Sequence, residues 1–258
     1  MSTDRKVMTR IWKLADEGSF VEFGRNVAQR STDFTSDTEK PAGDGAITGT
    51  ASVNGVTVAV YAQDAETLGG SLGEMHARKI EAVYEFALKA ACPVIGLLDS
   101  AGIRLSEATD ALEGLGRIYS VMAKASGRVP TVLALFGRTG GGMAVMAGLA
   151  DFVFMSKDAE LFVNAPNTLD GNYREKCDTA SADYQAEESG TADFTGTEDE
   201  VLGKIQELFW MLPANADDRP FQESGDDLNR TTEELSGEID VRKILTTLSD
   251  DLVFTELK

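Results

Sequence analysis

Two short segments combine polar side chains and glycines in a pattern suited to catalysis: Asp99-Ser100-Ala101-Gly102-Ile103-Arg104 and Gly137-Arg138-Thr139-Gly140-Gly141-Gly142. Each follows an uninterrupted apolar run and precedes a helical pattern, so each sits where a strand hands over to a helix. Helix N-termini present backbone N–H groups without intrahelical partners and a partial positive charge. Glycine lets a substrate oxygen come within hydrogen-bonding distance of such an N–H because no Cβ intervenes. The chemistry indicated is stabilisation of a developing oxyanion by backbone amides. An isolated run of three glycines also serves tight turns and close packing, so the motif alone does not decide.

Other chemistries find little support. The glycine-rich segment lacks the Lys-Ser/Thr ending of a phosphate loop and does not fit the dinucleotide fingerprint. Ser100 lacks the elbow of a serine hydrolase, and the single histidine, His76, falls on a helix where a surface or interface position is expected. Ser100 is read as a loop hydrogen-bonder and Asp99 as a cap or turn former. Cys92, just before Pro93, is read as core and Cys177 as inert. Arg104 could hold a loop or meet an anionic ligand. With two cysteines and no paired CxxC spacing, neither a disulfide framework nor a structural zinc is expected, and no metal site is assigned.

The elements that must position these loops follow from periodicity. Val7 to Asp16 is helical in pattern and stops at Gly18; 31–46 is polar and reads as loop. Alternating runs at 47–53 and 56–63 flank Asn54-Gly55, the signature of a hairpin. From Leu72 to Ala91 the apolar residues keep helical spacing. Val94 to Leu98 and Thr131 to Phe136 are strands without polar alternation, as expected of strands covered on both faces, and a helix over 106–126 separates them. A small-residue helix over Met143–Leu149 and a strand over Phe152–Met155 complete a β-α-β-α-β succession. Thr197-Glu198-Asp199-Glu200 fits a capping box opening a helix whose apolar face is Val201, Ile205, Leu208, Phe209 and Leu212, with a stop at Pro213.

The 258-residue chain carries a net charge of −19, a field that repels phosphate backbones and anionic lipid, so nucleic acid and membrane surfaces are not expected as partners. Residues 167–258 hold 23 acidic and 8 basic side chains, dividing a near-neutral, glycine-rich first part from an acidic second part. No apolar run reaches the length of a signal peptide or a membrane span, and a cytoplasmic location is expected.

Gly69-Gly70-Ser71-Leu72-Gly73 with Lys79, the Asp99–Glu107 loop, Ser126-Gly127-Arg128-Val129-Pro130 and Gly140-Gly141-Gly142 occur in an order that resembles the N-terminal domain of the biotin-dependent acyl-CoA carboxyltransferase family. The resemblance runs from Gly43-Asp44-Gly45 through Gln63-Asp64 to Asp151-Phe152, and Leu212-Pro213-Ala214-Asn215 with Asp240-Val241-Arg242 resemble that family's interdomain connector. Ala101, Ile103, Leu105 and Ser106 depart from the family's usual loop, and Met143-Ala144-Val145 from its usual helix start. The resemblance implies an α/β protein with a crotonase-like ββα spiral, a parallel core sheet and a helical C-terminal extension. It implies an acyl-CoA-binding domain over 1–214 and an acidic connector over 215–258. It implies that Gly141 and Gly142 offer one amide, and Gly102 or Ile103 the other, to a thioester oxygen, while Gly69, Gly70, Ser71, Gly73, Arg104 and Gly140 help bind the coenzyme A thioester. Biotin on a biotin carboxyl carrier protein, and a partner chain with the biotin-side carboxyltransferase domain, would complete a hetero-oligomer, because the family's second domain would begin where this chain ends. Three rival readings stand beside it: a malonate decarboxylase-type subunit acting on a carrier-protein thioester, a non-catalytic assembly subunit, and a thioester hydrolase using Ser100.

Overall fold

The computed structural model describes residues 5–33, 42–218, 225–227, 229 and 240–257. In chain order they form α1 (Lys6–Leu14), β1 (Val21–Phe23), β2 (Ala46–Val53), β3 (Val56–Gln63), α2 (Glu74–Ala90), β4 (Val94–Leu98), α3 (Ala108–Ala125), β5 (Thr131–Leu135), β6 (Arg138–Gly140), α4 (Gly142–Leu149), β7 (Phe152–Ser156), β8 (Glu160–Phe162), α5 (Ala182–Glu187), β9 (Phe194–Gly196), α6 (Glu198–Leu208) and α7 (Val241–Leu248).

The hairpin forms as its turn residues require: β2 and β3 pair antiparallel from Ala46↔Gln63 to Val53↔Val56, with Asn54 and Gly55 at φ +50° and +79°. From β3 onward the pairing is parallel. The main sheet runs β1-β2-β3-β4-β5-β7-β9, and β6 and β8 make a second, two-stranded parallel sheet. β4 and β5 lie side by side in register, Val94↔Thr131 to Leu98↔Leu135, so the loops leaving their C-terminal ends emerge together.

The unbroken apolar runs are explained by two cores, one on each face of the sheet. On one face α2, α3 and α4 pack Ile80, Val83, Ile118, Met122 and Met146 against Tyr61, Leu98 and Leu133. On the other, α1 and α6 pack Ile11, Leu14, Val201 and Ile205 against Val60, Ile95, Leu97 and Val132. Cys92 is buried in the first core, as read from the sequence, and Cys177 is exposed.

Three expectations change. Half of the predicted loop over 31–46, residues 34–41, lies outside the described residues, and Ala46 already opens β2. Residues 138–140, expected to be loop, are strand β6, held by a β8 the periodicity does not show. The helix begun by the capping box ends at Leu208 and not at Pro213, because the N–H groups of Trp210 and Met211 turn back to Glu207 and Leu208. Among the described residues no helix is long and apolar enough to cross a membrane.

Candidate active site

The turns after β4 and β5 touch. Ser100 donates its N–H to the Arg138 carbonyl at 3.2 Å, and Phe136 donates to Leu98 at 2.9 Å. Gly137 has no room for a side chain, since a Cβ there would overlap the Asp99 carboxylate. That carboxylate is held by Arg10 of α1 at 2.8 Å, and Arg10, buried and stacked 4.5 Å from the centre of the Phe136 ring, is also bonded to Glu198 of α6. Asp99 is thus an ion-pair partner that pins the end of β4, a role its position in a turn did not show.

A third segment, Gly69 to Gly73, lies against the first turn. Ala101 donates to the Gly69 carbonyl at 2.8 Å, Leu72 to Gly102 at 2.9 Å and Arg104 to Leu72 at 2.9 Å, so Leu72 and Ile103 form a parallel bridge. The glycines have separate reasons. Gly69 and Gly70 stand at φ +63° and +64°, and a Cβ on Gly70 would overlap the Asp99 carbonyl. One on Gly73 would overlap the Arg104 guanidinium and Glu107, and one on Gly140 the Phe162 ring. Gly102 (φ +99°) and Gly141 (φ +60°) differ: nothing lies within 4 Å of where their Cβ would be, so each exposes bare main chain to open space.

Of the four amides singled out from the sequence, two are committed within the chain. Gly102 donates to Ser100 Oγ at 3.1 Å and Gly141 to the Phe162 carbonyl at 2.9 Å. Ile103 and Gly142 have no acceptor among the described residues. In the bridge the ladder bonds go to Gly102 and Arg104, leaving the Ile103 N–H on the other side of its strand. Gly142 is the first residue of α4, whose opening N–H groups lack intrahelical partners. Ser100 is a loop hydrogen-bonder as expected, its hydroxyl donating to Gly70 at 2.8 Å.

Arg104 holds loops together. Its Nη1 meets Asp44 at 2.6 Å and Glu107 at 2.8 Å, Nη2 donates to the Ser71 carbonyl at 2.7 Å and Nε to Ser71 Oγ at 3.2 Å. Both carboxylates are fully buried. Burial pushes the Asp44 carboxyl up, with the Arg104 charge opposing. Glu107 also accepts the Glu74 N–H at the start of α2, at 2.6 Å.

His76 is the clear correction. Expected at a helix surface or an interface, it is fully buried within the chain in this network. Its backbone N–H donates to Asp44 Oδ2 at 2.9 Å; its Nδ1 lies 3.0 Å from the Asp44 carbonyl and its Nε2 3.2 Å from Gln63 Nε2. One nitrogen donates and the other accepts, which fits a neutral ring. Burial, with the Arg104 charge adding to it, pulls its pKa down to about 3. Lys79 is likewise buried, its ammonium clasping the Gly43 and Ala46 carbonyls, and burial pulls it down to about 8. Part of this network was signalled in the chain, since Asp44, Lys79 and Arg104 belong to quoted motifs, but nothing there marked the place of His76. Among the described residues no group of His, Cys, Asp and Glu could hold a metal ion.

Comparison with known proteins places this architecture. Residues 4–258 match the carboxyl transferase domain family. The chain is 36% identical over 233 residues to the methylmalonyl-CoA decarboxylase subunit alpha of Veillonella parvula, covering 88% of this chain and 46% of that protein. It is 39% identical over 232 residues to the propionyl-CoA carboxylase carboxyltransferase subunit of Haloferax mediterranei, covering 88% and 45%. The solved transcarboxylase 12S hexamer with methylmalonyl-CoA bound superposes with a TM-score of 0.88 at 27% identity, over 97% of this chain and 52% of that one. A Pseudomonas malonate decarboxylase hetero-tetramer shares the fold, with a TM-score of 0.70 at 23% identity over 80% and 82%. The chain spans about half the length of the curated relatives it matches. Its fold is the crotonase-like fold of the carboxyltransferases, with the expected parallel core sheet. Since the family match runs through nearly the whole chain and relatives above one-third identity carry it, this protein belongs to the carboxyl transferase domain family.

Proposed function

We propose that this chain is the acyl-CoA-binding component of a biotin-dependent acyl-CoA carboxyltransferase. The N–H groups of Ile103 and Gly142 would hold the thioester oxygen of a short acyl-CoA while its α-carbon gains or loses a carboxyl group. The observation that carries this reading is the contact between the turns after β4 and β5, each offering one uncommitted amide beside a glycine that opens onto free space. The relatives named for propionyl-CoA and methylmalonyl-CoA support the substrate class.

Carboxyl transfer at the carbon next to a thioester builds negative charge on the thioester oxygen. A pre-aimed donor at such an oxygen is worth about 2.7–4 kcal/mol of barrier. The donors here fit that need and little else, because Ser100, Asp99 and Arg104, the polar side chains of the first turn, are all bonded to protein groups. Ser100 as nucleophile is disfavoured for the same reason. Biotin, carried by a biotin carboxyl carrier protein and met by a partner subunit, supplies or receives the carboxyl group when bound. Gly69, Gly70, Ser71, Gly73 and Gly140 shape the surroundings of the two turns, and Arg104 holds the turns in place.

Turnover assays decide it. The chain combined with its partner subunit and biotinylated carrier should release the carboxyl group of methylmalonyl- or malonyl-CoA, and with the corresponding acyl-carrier thioester as the second arm the malonate decarboxylase-type reading is tested. Gly141→Ala, at φ +60° and ψ −130°, forces the peptide before Gly142 to rotate and should lower kcat on the order of 10²-fold with little change in KM. Absence of carboxyl release with every such combination would overturn the proposal and favour an assembly role.

A further inference from the structure

The aim of an amide donor matters as much as its presence, and something must hold the first turn of α4 still. That turn is built from glycines, and its Gly141 N–H is tied to Phe162. The Gly141 carbonyl accepts the Ala144 N–H at 3.1 Å, and because a trans peptide sets C=O and N–H antiparallel, the Gly142 N–H points off the start of the helix. The next peptide, Gly142–Met143, is held from α3, and through it the opening turn of α4 is fixed about the helix axis. Leu115 fills the space a Cβ on Gly142 would need, and the hydroxyl of Tyr119, one helical turn further on, donates to the Gly142 carbonyl. The same helix reaches the other turn, since Glu107 at its N-terminal boundary is bonded to Arg104, the neighbour of Ile103.

We propose that Tyr119 is a positioning residue for the Gly142 amide: its hydroxyl, donating to the Gly142 carbonyl, holds the opening turn of α4 at the rotation that aims the Gly142 N–H at the thioester oxygen. This rests on the function proposed above. Its ring packs against the core beside Leu115 while its hydroxyl leaves the apolar layer for that one carbonyl. A carbonyl oxygen has two acceptor sites, so the bond coexists with the intrahelical bond of the first turn. α3 would thereby act as the common strut of the site, tied at one end to the loop bearing Ile103 and at its middle to Gly142.

The test separates aim from folding. The full chain is loaded with an acyl-CoA labelled with ¹³C at the thioester carbonyl, and the carbonyl stretch of the bound ligand is read by difference infrared spectroscopy. Hydrogen bonds to that oxygen lower its frequency. Tyr119→Phe should bind the ligand with unchanged Kd, show a smaller lowering than the wild type and lose about 10-fold in kcat at unchanged KM in the complete complex. Equal lowering and equal kcat in the two proteins would overturn the role of Tyr119 while leaving the thioester reading intact. A bound thioester whose stretch is not lowered even in the wild type would remove the oxygen that Gly142 is said to hold, and both proposals with it. Should Tyr119→Phe fail to fold, 3-fluorotyrosine placed at 119 keeps the shape and makes the phenol a stronger donor; the carbonyl frequency should move, and an unmoved frequency with unchanged kcat would count against the role.

Discussion

At the scale of single residues, the polar groups behind the site behave as structure. Arg104 neutralises two carboxylates that see no solvent. Arg104→Met keeps the volume, leaves those charges unpaired and should cost about 3–5 kcal/mol in chemical denaturation. His76 makes the opposite kind of prediction, in which a proton and not a partner is at stake. Its folded pKa of about 3 lies below the ordinary 6.5, so the unfolded chain takes up that proton first. The stability it allows is complete above pH 6.5 and declines as pH falls from there toward 3, by at most about 1.4 kcal/mol per pH unit. His76→Gln should flatten that part of the pH profile of unfolding, and an unchanged slope would show that the ring takes up its proton at the same pH in the folded and unfolded chain. The two glycine-bearing turns were legible from the sequence as strand-to-helix junctions, whereas the bonds that commit the Gly102 and Gly141 N–H groups and leave those of Ile103 and Gly142 uncommitted were not. The setting of His76 was not, because a lone histidine on an amphipathic helix says nothing of what lies across from its polar side. Here a second layer, the Gly43–Gly45 turn and the Arg104 loop, covers that side.

At the scale of elements, strong periodicity foretold structure and short length hid it. α2, α3, the hairpin and the buried strands β4, β5 and β7 were all legible, whereas the three-residue strands β6 and β8 carry no period and exist because each pairs with the other. The site depends on this hidden pair, since Gly140 ends β6 and its ring partner Phe162 ends β8. Within β4 the glycine is a packing requirement: a Cβ on Gly96 would overlap Tyr61 and the Leu133 side chain. Gly96→Val should therefore destabilise by about 1–3 kcal/mol despite its higher strand propensity, as measured by urea unfolding. The capping box of α6 is formed in both directions, with the Thr197 N–H donating to Glu200 at 2.7 Å and the Glu200 N–H to Thr197 Oγ at 3.3 Å. Thr197→Ala should cost about 1 kcal/mol in the same measurement.

At the scale of the whole molecule, two cores on one sheet are built from residues before 213, and none of the described residues beyond 218 belongs to either. α7 has no buried residue. The segment after α6 is fastened to the base of the sheet by Ala216, which donates to Arg128 at 2.9 Å, and by Asn215, whose side chain donates to Ala91 at 3.0 Å. We expect a chain ending at residue 218 to fold with a Tm within a few degrees of the full chain, and calorimetry of the two checks it. The division read from charge near residue 167 does not coincide with that boundary, because α5 and α6, acidic as they are, contribute to the cores. The bond between Arg10 and Glu198 spans 188 positions. During synthesis, then, α1 lacks the helix that completes its packing and pairs with Arg10 until α6 follows it out. Nascent chains arrested before α6 should expose α1 to protease, and those released after it should not.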